Sequence, residues 1–217
     1  MFFKGGCSSQ GITSIYPSRS SDLLGKFSRF HDGAVDQEFG TRFLRRFVKK
    51  GHGGQIEDFS KYILEFDQRQ SDGFSDRFHL RYLDAEFNMC ITHGESLVAL
   101  LGFEIWDMKM TIQQIQGIRA KASLLSPFRW EKALVTYAVD WARNNDIDEV
   151  ILVSAKNNSH ILAEPPIPER YRLRYDVTAR RCGFRKDPES GNYILNLDHG
   201  AGYAPFQRTS SILPSSR

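Results

Sequence analysis

Residues 126–154 read SPFRWEKALVTYAVDWARNNDIDEVILVS, and this stretch decides the fold. Ser126-Pro127 predicts a helix start, with the serine oxygen capping a free amide and proline at the first helical position, where its missing N–H costs nothing. Trp130, Leu134, Tyr137, Ala138 and Trp141 recur at three- and four-residue spacing, while Glu131, Lys132, Asp140 and Arg143 take the other side. That is the pattern of an amphipathic helix with one face in a core. Asn144-Asn145-Asp146 accept turn or left-handed backbone, so the helix ends there. Val150-Ile151-Leu152-Val153 follows as an unbroken apolar run, predicting a strand covered on both faces, as parallel strands usually are.

On the N-terminal side, Met110, Ile112 and Ile115 predict a strand between Lys109 and Ile118, and Gly117 marks a bulge or a point where backbone must come close to a neighbour. Phe87 to Ile91 and Leu97 to Ile105, parted by His93-Gly94, predict an antiparallel hairpin. Two helices are expected earlier. Over 37–50, Phe39, Phe43, Leu44, Phe47 and Val48 form an apolar stripe against Arg42, Arg45, Arg46, Lys49 and Lys50, and Gly51-His52-Gly53-Gly54 stops it. Over 55–68, Ile56, Phe59, Tyr62, Ile63 and Phe66 keep helical spacing, and Ser71-Asp72-Gly73 is a turn. On the C-terminal side, Glu164-Pro165-Pro166-Ile167-Pro168 forbids regular structure, Glu169 to Arg181 reads as a helix closed by Cys182-Gly183, and Tyr193-Ile194-Leu195 reads as a last strand. The expected organisation is a flexible arm over 1–21, a helical part over 22–84, a mixed α/β core over 85–197 and a tail over 198–217.

At 217 residues, with 41% hydrophobic and 25% charged residues, the chain has ordinary globular composition and enough length for a substantial core. A net charge of +3 is too small to argue for nucleic acid; only a local cluster could. The Arg42 to Lys50 cluster reads as a solvated face, because its phenylalanines fall on the opposite, core-facing side. Cys7, Cys90 and Cys182 have no spacing suited to zinc or a disulfide framework, so reduced thiols and no metal site are expected. No run approaches the roughly 18 apolar residues of a membrane span. No nucleophile elbow, glycine-rich nucleotide loop or paired-histidine metal motif occurs. A cytoplasmic location follows, in a cell or an infected host.

Three antiparallel strands, a long helix, a parallel strand, a second helix ending in Gly183-Phe184 and a final strand form an order that resembles the GNAT superfamily of N-acetyltransferases. The resemblance covers roughly Ala85 to Leu197. It implies a mixed central α+β sheet flanked by helices, here with an N-terminal helical extension, and acyl transfer from acyl-coenzyme A to an amine. In that family the helix N-terminus after the fourth strand holds the cofactor pyrophosphate, as free amides and the helix dipole dictate. The family's Gln/Arg-x-x-Gly-x-Gly/Ala loop falls on Ser126-Pro127-Phe128-Arg129-Trp130-Glu131. Arg129 and Glu131 stand where the glycines belong, and Pro127 removes an amide donor. Arg129 would then be the phosphate partner. The cofactor set implied for acetyl-coenzyme A is Ser126, Phe128, Arg129 and Trp130, with Gly117 and with Asn157 or Asn158 after the fifth strand.

The family's general-acid tyrosine, four residues before the glycine of Gly-Phe, falls on Ala179, and Tyr175 one turn earlier is the substitute; Glu104 is the candidate base. Two functions follow. One is an acyltransferase-like protein with weakened or lost coenzyme binding. The other is a non-catalytic GNAT-fold interaction or structural protein, for example a virion-associated component of a bacteriophage, binding a protein partner through its terminal arms.

Overall fold

The computed structural model describes residues 37–56, 58–68, 85–162 and 167–197. The arms expected over 1–21 and 198–217, the turn at 71–73 and the proline run at 164–166 lie outside those residues. Nine residues, Gln37–Arg45, form α1. Strands β1 (Tyr62–Gln68), β2 (Phe87–His93), β3 (Ser96–Trp106) and β4 (Lys109–Gly117) follow, then a short α2 (Ala122–Leu125), the long α3 (Trp130–Arg143) and β5 (Glu149–Leu152). After α4 (Ser159–Leu162), α5 (Glu169–Arg172) runs through a π turn, Leu173–Val177, into α6 (Thr178–Arg181), and β6 (Arg185–Lys186) and β7 (Tyr193–Asn196) close the chain. The seven strands make one sheet in the order β1-β2-β3-β4-β5-β7-β6. Among the described residues only β4 and β5 run parallel; the other pairs are antiparallel. This is the mixed α+β arrangement that the order of elements implied.

The α3–β5 unit carries most of that expectation. Leu134 and Ala138 are fully buried, Trp130 and Trp141 nearly so, and burial spreads to Ala133, Val135, Val139 and Ala142, wider than the single predicted face. The helix ends as expected: Asn145 Nδ2 donates to the Trp141 carbonyl at 2.7 Å, and Asp146 takes φ 58°. Phe103 and Phe66 pack on Trp141 at 5.8 and 5.3 Å between ring centres, so the helix seats on the faces of β1 and β3. In β5 burial alternates, Val150 and Leu152 buried and Glu149 and Ile151 half-buried; the strand is therefore covered fully on one face, not two. Gly183, at φ 88°, closes α6 with Phe184 N donating to the Ala179 carbonyl at 3.1 Å and Gly183 N to that of Arg180 at 3.2 Å, the paired bonds of a left-handed helix end.

Three expectations are corrected. Helix α3 starts at Trp130 with Arg129 as its cap residue and no side-chain cap, not at Ser126-Pro127. Phe128 instead bridges Val48, with Lys49 N donating to the Pro127 carbonyl at 2.8 Å and Arg129 N to that of Phe47 at 2.9 Å, and this non-local pairing overrides the local cap signal. Helix α1 ends at Arg45 for the same reason, since Val48 is drawn into the bridge; its stripe is nonetheless inward, with Phe43, Leu44 and Phe47 buried. The helix expected over 55–68 is a strand from Tyr62 onward, paired in register Leu64 to Ile91 and Phe66 to Met89. Tyr62 and Phe66, four apart, share a face in either conformation, so their spacing does not separate the two; Leu64, wholly buried, belongs only to the strand face.

Candidate functional site

The parallel pair β4–β5 holds register only from Lys109–Glu149 to Ile112–Leu152. Beyond it β4 continues to Gly117 with no partner strand on that side among the described residues, and the two strands part. The divergence has a local cause: the β3–β4 register shifts at Gly102/Phe103, placing Gln113 as an extra residue on β4, and a bulge bends and twists its strand. The bulge predicted at Gly117 is thus at Gln113. Gly117 has the other expected role, because a Cβ there would stand 3.1 Å from Trp130 Cζ2 and 3.1 Å from Leu125 Cδ1.

In the gap the exposed edge of β4 would present backbone groups to a ligand. Here side chains of the chain itself meet them. Asn158 Nδ2 donates to the Gln113 carbonyl at 2.7 Å. The Tyr175 hydroxyl accepts from Ile115 N–H at 3.1 Å, and Arg174 Nη1 reaches the Ile115 carbonyl at 3.5 Å. Asn158 and Tyr175 are 2% and 4% exposed and also hydrogen-bond each other. Burial pushes the Tyr175 phenol above its ordinary range, against the pull of the Ile115 amide and the Arg174 charge. Trp130, 8% exposed, lies under the Arg174 guanidinium at 5.5 Å and closes the gap at the Gly117 end.

The first turn of α3 is occupied in the same manner. The Arg129 amide is bonded to Phe47. Burial pushes the Glu131 carboxyl above the usual carboxylate range; its own backbone amide, Arg174, Lys49 and Arg181 pull it back. Lys49 Nζ donates to the Ser126 carbonyl at 2.7 Å. Phe128 is a core residue, its ring 4.9 Å from Tyr62 and 6.0 Å from Phe59, while the Arg129 side chain is exposed.

The remaining candidates separate. Asn157 Nδ2 bonds the Ser190 carbonyl at 2.6 Å and Asn192 Oδ1 at 2.9 Å, fixing the turn between β6 and β7. Glu104 pairs across to Thr111, four residues along β4 from the Ile115 that Tyr175 holds, or about 13 Å. Its close acidic neighbour is Glu86, whose carboxyl burial and Glu104 push upward. The expected base and acid are therefore not one constellation. Cys182, with Sγ 4.0 Å from Thr136 Oγ1, has a thiol that burial pushes up, the opposite of an activated nucleophile. Among the described residues no group of three or more His, Cys, Asp or Glu could hold a metal ion, and no helix is long and apolar enough to cross a membrane. Sequence reasoning placed Glu131 in the loop but missed Arg174 as part of this site. Arg174 next to Tyr175 on a helix following β5 was the available signal, but only the π turn decides which way it faces.

No family model and no curated protein matches the chain. Solved structures with a similar fold include an IAA acetyltransferase from Bacillus cereus, 13% identical, covering 62% of this chain and 99% of its own, with TM-score 0.38. A protein assigned as streptothricin acetyltransferase from Bacillus anthracis, solved with acetyl coenzyme A, is 14% identical over 52% of this chain and 62% of its own, TM-score 0.32. Ard1 from Thermoplasma volcanium is 15% identical over 50% and 68%, TM-score 0.31.

Proposed function

We propose that this chain is a GNAT-fold protein that has given up acyl-coenzyme A and serves as an interaction or structural component. The carrying observation is that Asn158, Tyr175 and Arg174 take the Gln113 and Ile115 backbone groups in the strand gap. A ligand arm lying there would have to displace buried, bonded side chains and then replace their bonds, each exchange costing about 1–3 kcal/mol if it leaves a group unpaired. The α3 first turn adds a second conflict. Glu131 stands where a phosphate would come, and a carboxylate already engages the amide that would greet it. The residues present do not fit the cofactor. A virion-associated role is one form of such a component, by analogy of fold alone.

Acyl transfer to an amine is the second reading, favoured by one observation: Lys49, Arg174 and Arg181 surround the α3 first turn and are of the right charge for a pyrophosphate. Isothermal titration with acetyl-coenzyme A separates the two. No saturable heat is expected; a Kd tighter than about 100 µM, roughly 5.5 kcal/mol of binding, would overturn the non-catalytic reading.

A further inference from the structure

We propose that the cationic rim around the α3 N-terminus and the outer side of α5–α6 binds single-stranded nucleic acid. The net charge of +3 does not reveal a local concentration of cations. Between residues 170 and 186 the sequence holds seven cations and one carboxylate, and that carboxylate, Asp176, turns inward to accept from the Ala155 amide at 3.0 Å. Arg172, Arg180, Arg181, Arg185 and Lys186 are exposed. The fold adds Lys49 from the segment after α1, which shares the neighbourhood of Glu131 with Arg174 and Arg181, and the exposed Arg129 beside it. Glu169, Asp187 and Glu189 border this stretch, and a second group of carboxylates lies at the start of β5. Helix α3 runs back between the parallel strands β4 and β5, so its C-terminal Asp140 and the following Asp146, Asp148 and Glu149 gather near Asp107, with Asp148 N bonded to the Met108 carbonyl at 2.9 Å. A rim in which cations outnumber carboxylates attracts a polyanion even where the total charge is small.

Ring contacts decide which polyanion. Six of the seven cations in 170–186 are arginine, whose planar group stacks and bridges phosphates. The Tyr171 ring, half-buried, lies 4.9 Å from the Arg170 guanidinium and 6.0 Å from that of Arg174, which in turn lies 5.5 Å from the Trp130 ring. Leu173 beside them is 53% exposed. Planar guanidinium and phenol faces within a basic surface are what unstacked bases settle on, and an acidic peptide has no use for them. The binding reading above supplies the setting; the two can fail separately, because coenzyme binding is read by calorimetry and this surface by a labelled oligonucleotide.

The test is fluorescence anisotropy of the full chain with a labelled mixed-sequence single strand of about 20 nucleotides, a duplex of the same sequence, and polyglutamate as competitor. Micromolar binding of the single strand is expected, weakening with salt by about 0.7 log units per log unit for each phosphate met, hence a slope of about −2 to −4 for three to six contacts. Replacing Arg172, Arg180 and Arg181 together by Gln should weaken binding at least about tenfold, whereas Lys109→Gln with Arg143→Gln at the acidic end should leave it within about twofold. If the triple variant does not fold, Arg172→Gln alone, at an exposed helix position, should shift the affinity in the same direction. No binding at low salt, tighter binding of the duplex, equal competition by polyglutamate, or equal losses at both ends would each overturn the proposal.

Discussion

Tyr175→Phe tests whether the strand gap is filled as the hydrogen bonds indicate. The substitution keeps the ring and its packing, and removes one oxygen that accepts from Ile115 N–H at 3.1 Å in a site where Tyr175 is 4% exposed. In an antiparallel strand the N–H and C=O of one residue face the same side. Ile115 therefore points both groups into the gap, where β5 has already turned away. Nothing else in the described chain stands at that amide. Leaving a buried donor unpaired costs about 1–3 kcal/mol, and about 2 kcal/mol lowers the melting temperature of a chain this size by roughly 4–8 °C. Tyr62→Phe is the control. Its hydroxyl donates to the Leu124 carbonyl at 3.0 Å in a part-buried setting, so the loss should be nearer 1 kcal/mol, as for an ordinary hydrogen bond. Asn158→Ala removes the neighbouring bond to Gln113, and because Asn158 and Tyr175 touch, the double variant should depart from additivity by about 0.5–3 kcal/mol. Thermal and urea unfolding of the four proteins measure all of this. A melting temperature for Tyr175→Phe within about 1 °C of the parent would refute the reasoning, since the β4 amide would then be satisfied without the phenol.

Leu64→Ala should cost about 2–5 kcal/mol and Ile63→Ala much less, measured by urea unfolding; the reverse order would restore a helix over 55–68. Gly117→Ala should lower stability by about 1–2 kcal/mol, because a methyl group 3.1 Å from the Trp130 ring forces repacking that outweighs the entropy gained. For Glu131 the pH dependence has a definite sign. Its folded pKa is raised, so ionisation disfavours the fold, and the parent gains stability as pH falls through the folded value. Glu131→Gln should therefore melt higher at pH 7, with the advantage vanishing in acid below the ordinary glutamate range; a constant difference across pH would exclude the carboxylate as cause. Cys182 should resist a disulfide-exchange thiol reagent at neutral pH in the native protein and react in urea, because burial pushes its thiol up.

What the sequence made legible follows from how many independent residues each inference used. The α3 pattern spans fourteen residues, long enough for a period of 3.6 to exclude a period of 2, and the Gly183-Phe184 ending needs one specific backbone sign that glycine supplies. The 62–68 segment rests on seven residues whose key pair, Tyr62 and Phe66, fits both periods. The Ser126-Pro127 start failed differently: the cap chemistry was sound, but Val48, about 80 positions away in sequence, took the backbone that the cap would have organised, and no local pattern records a long-range bridge. The site shows the same limit. Asn157 or Asn158 was expected to contact cofactor or substrate and Tyr175 to act as general acid, and in the structure Asn158 and Tyr175 bond the backbone of β4; residue type reveals the capacity to bond, not whether the partner is a ligand or the chain's own backbone. Only the Gln113 bulge, which turns the Ile115 groups toward Tyr175, settles the partner, and a bulge is a relation between β3 and β4 that neither strand's sequence states alone.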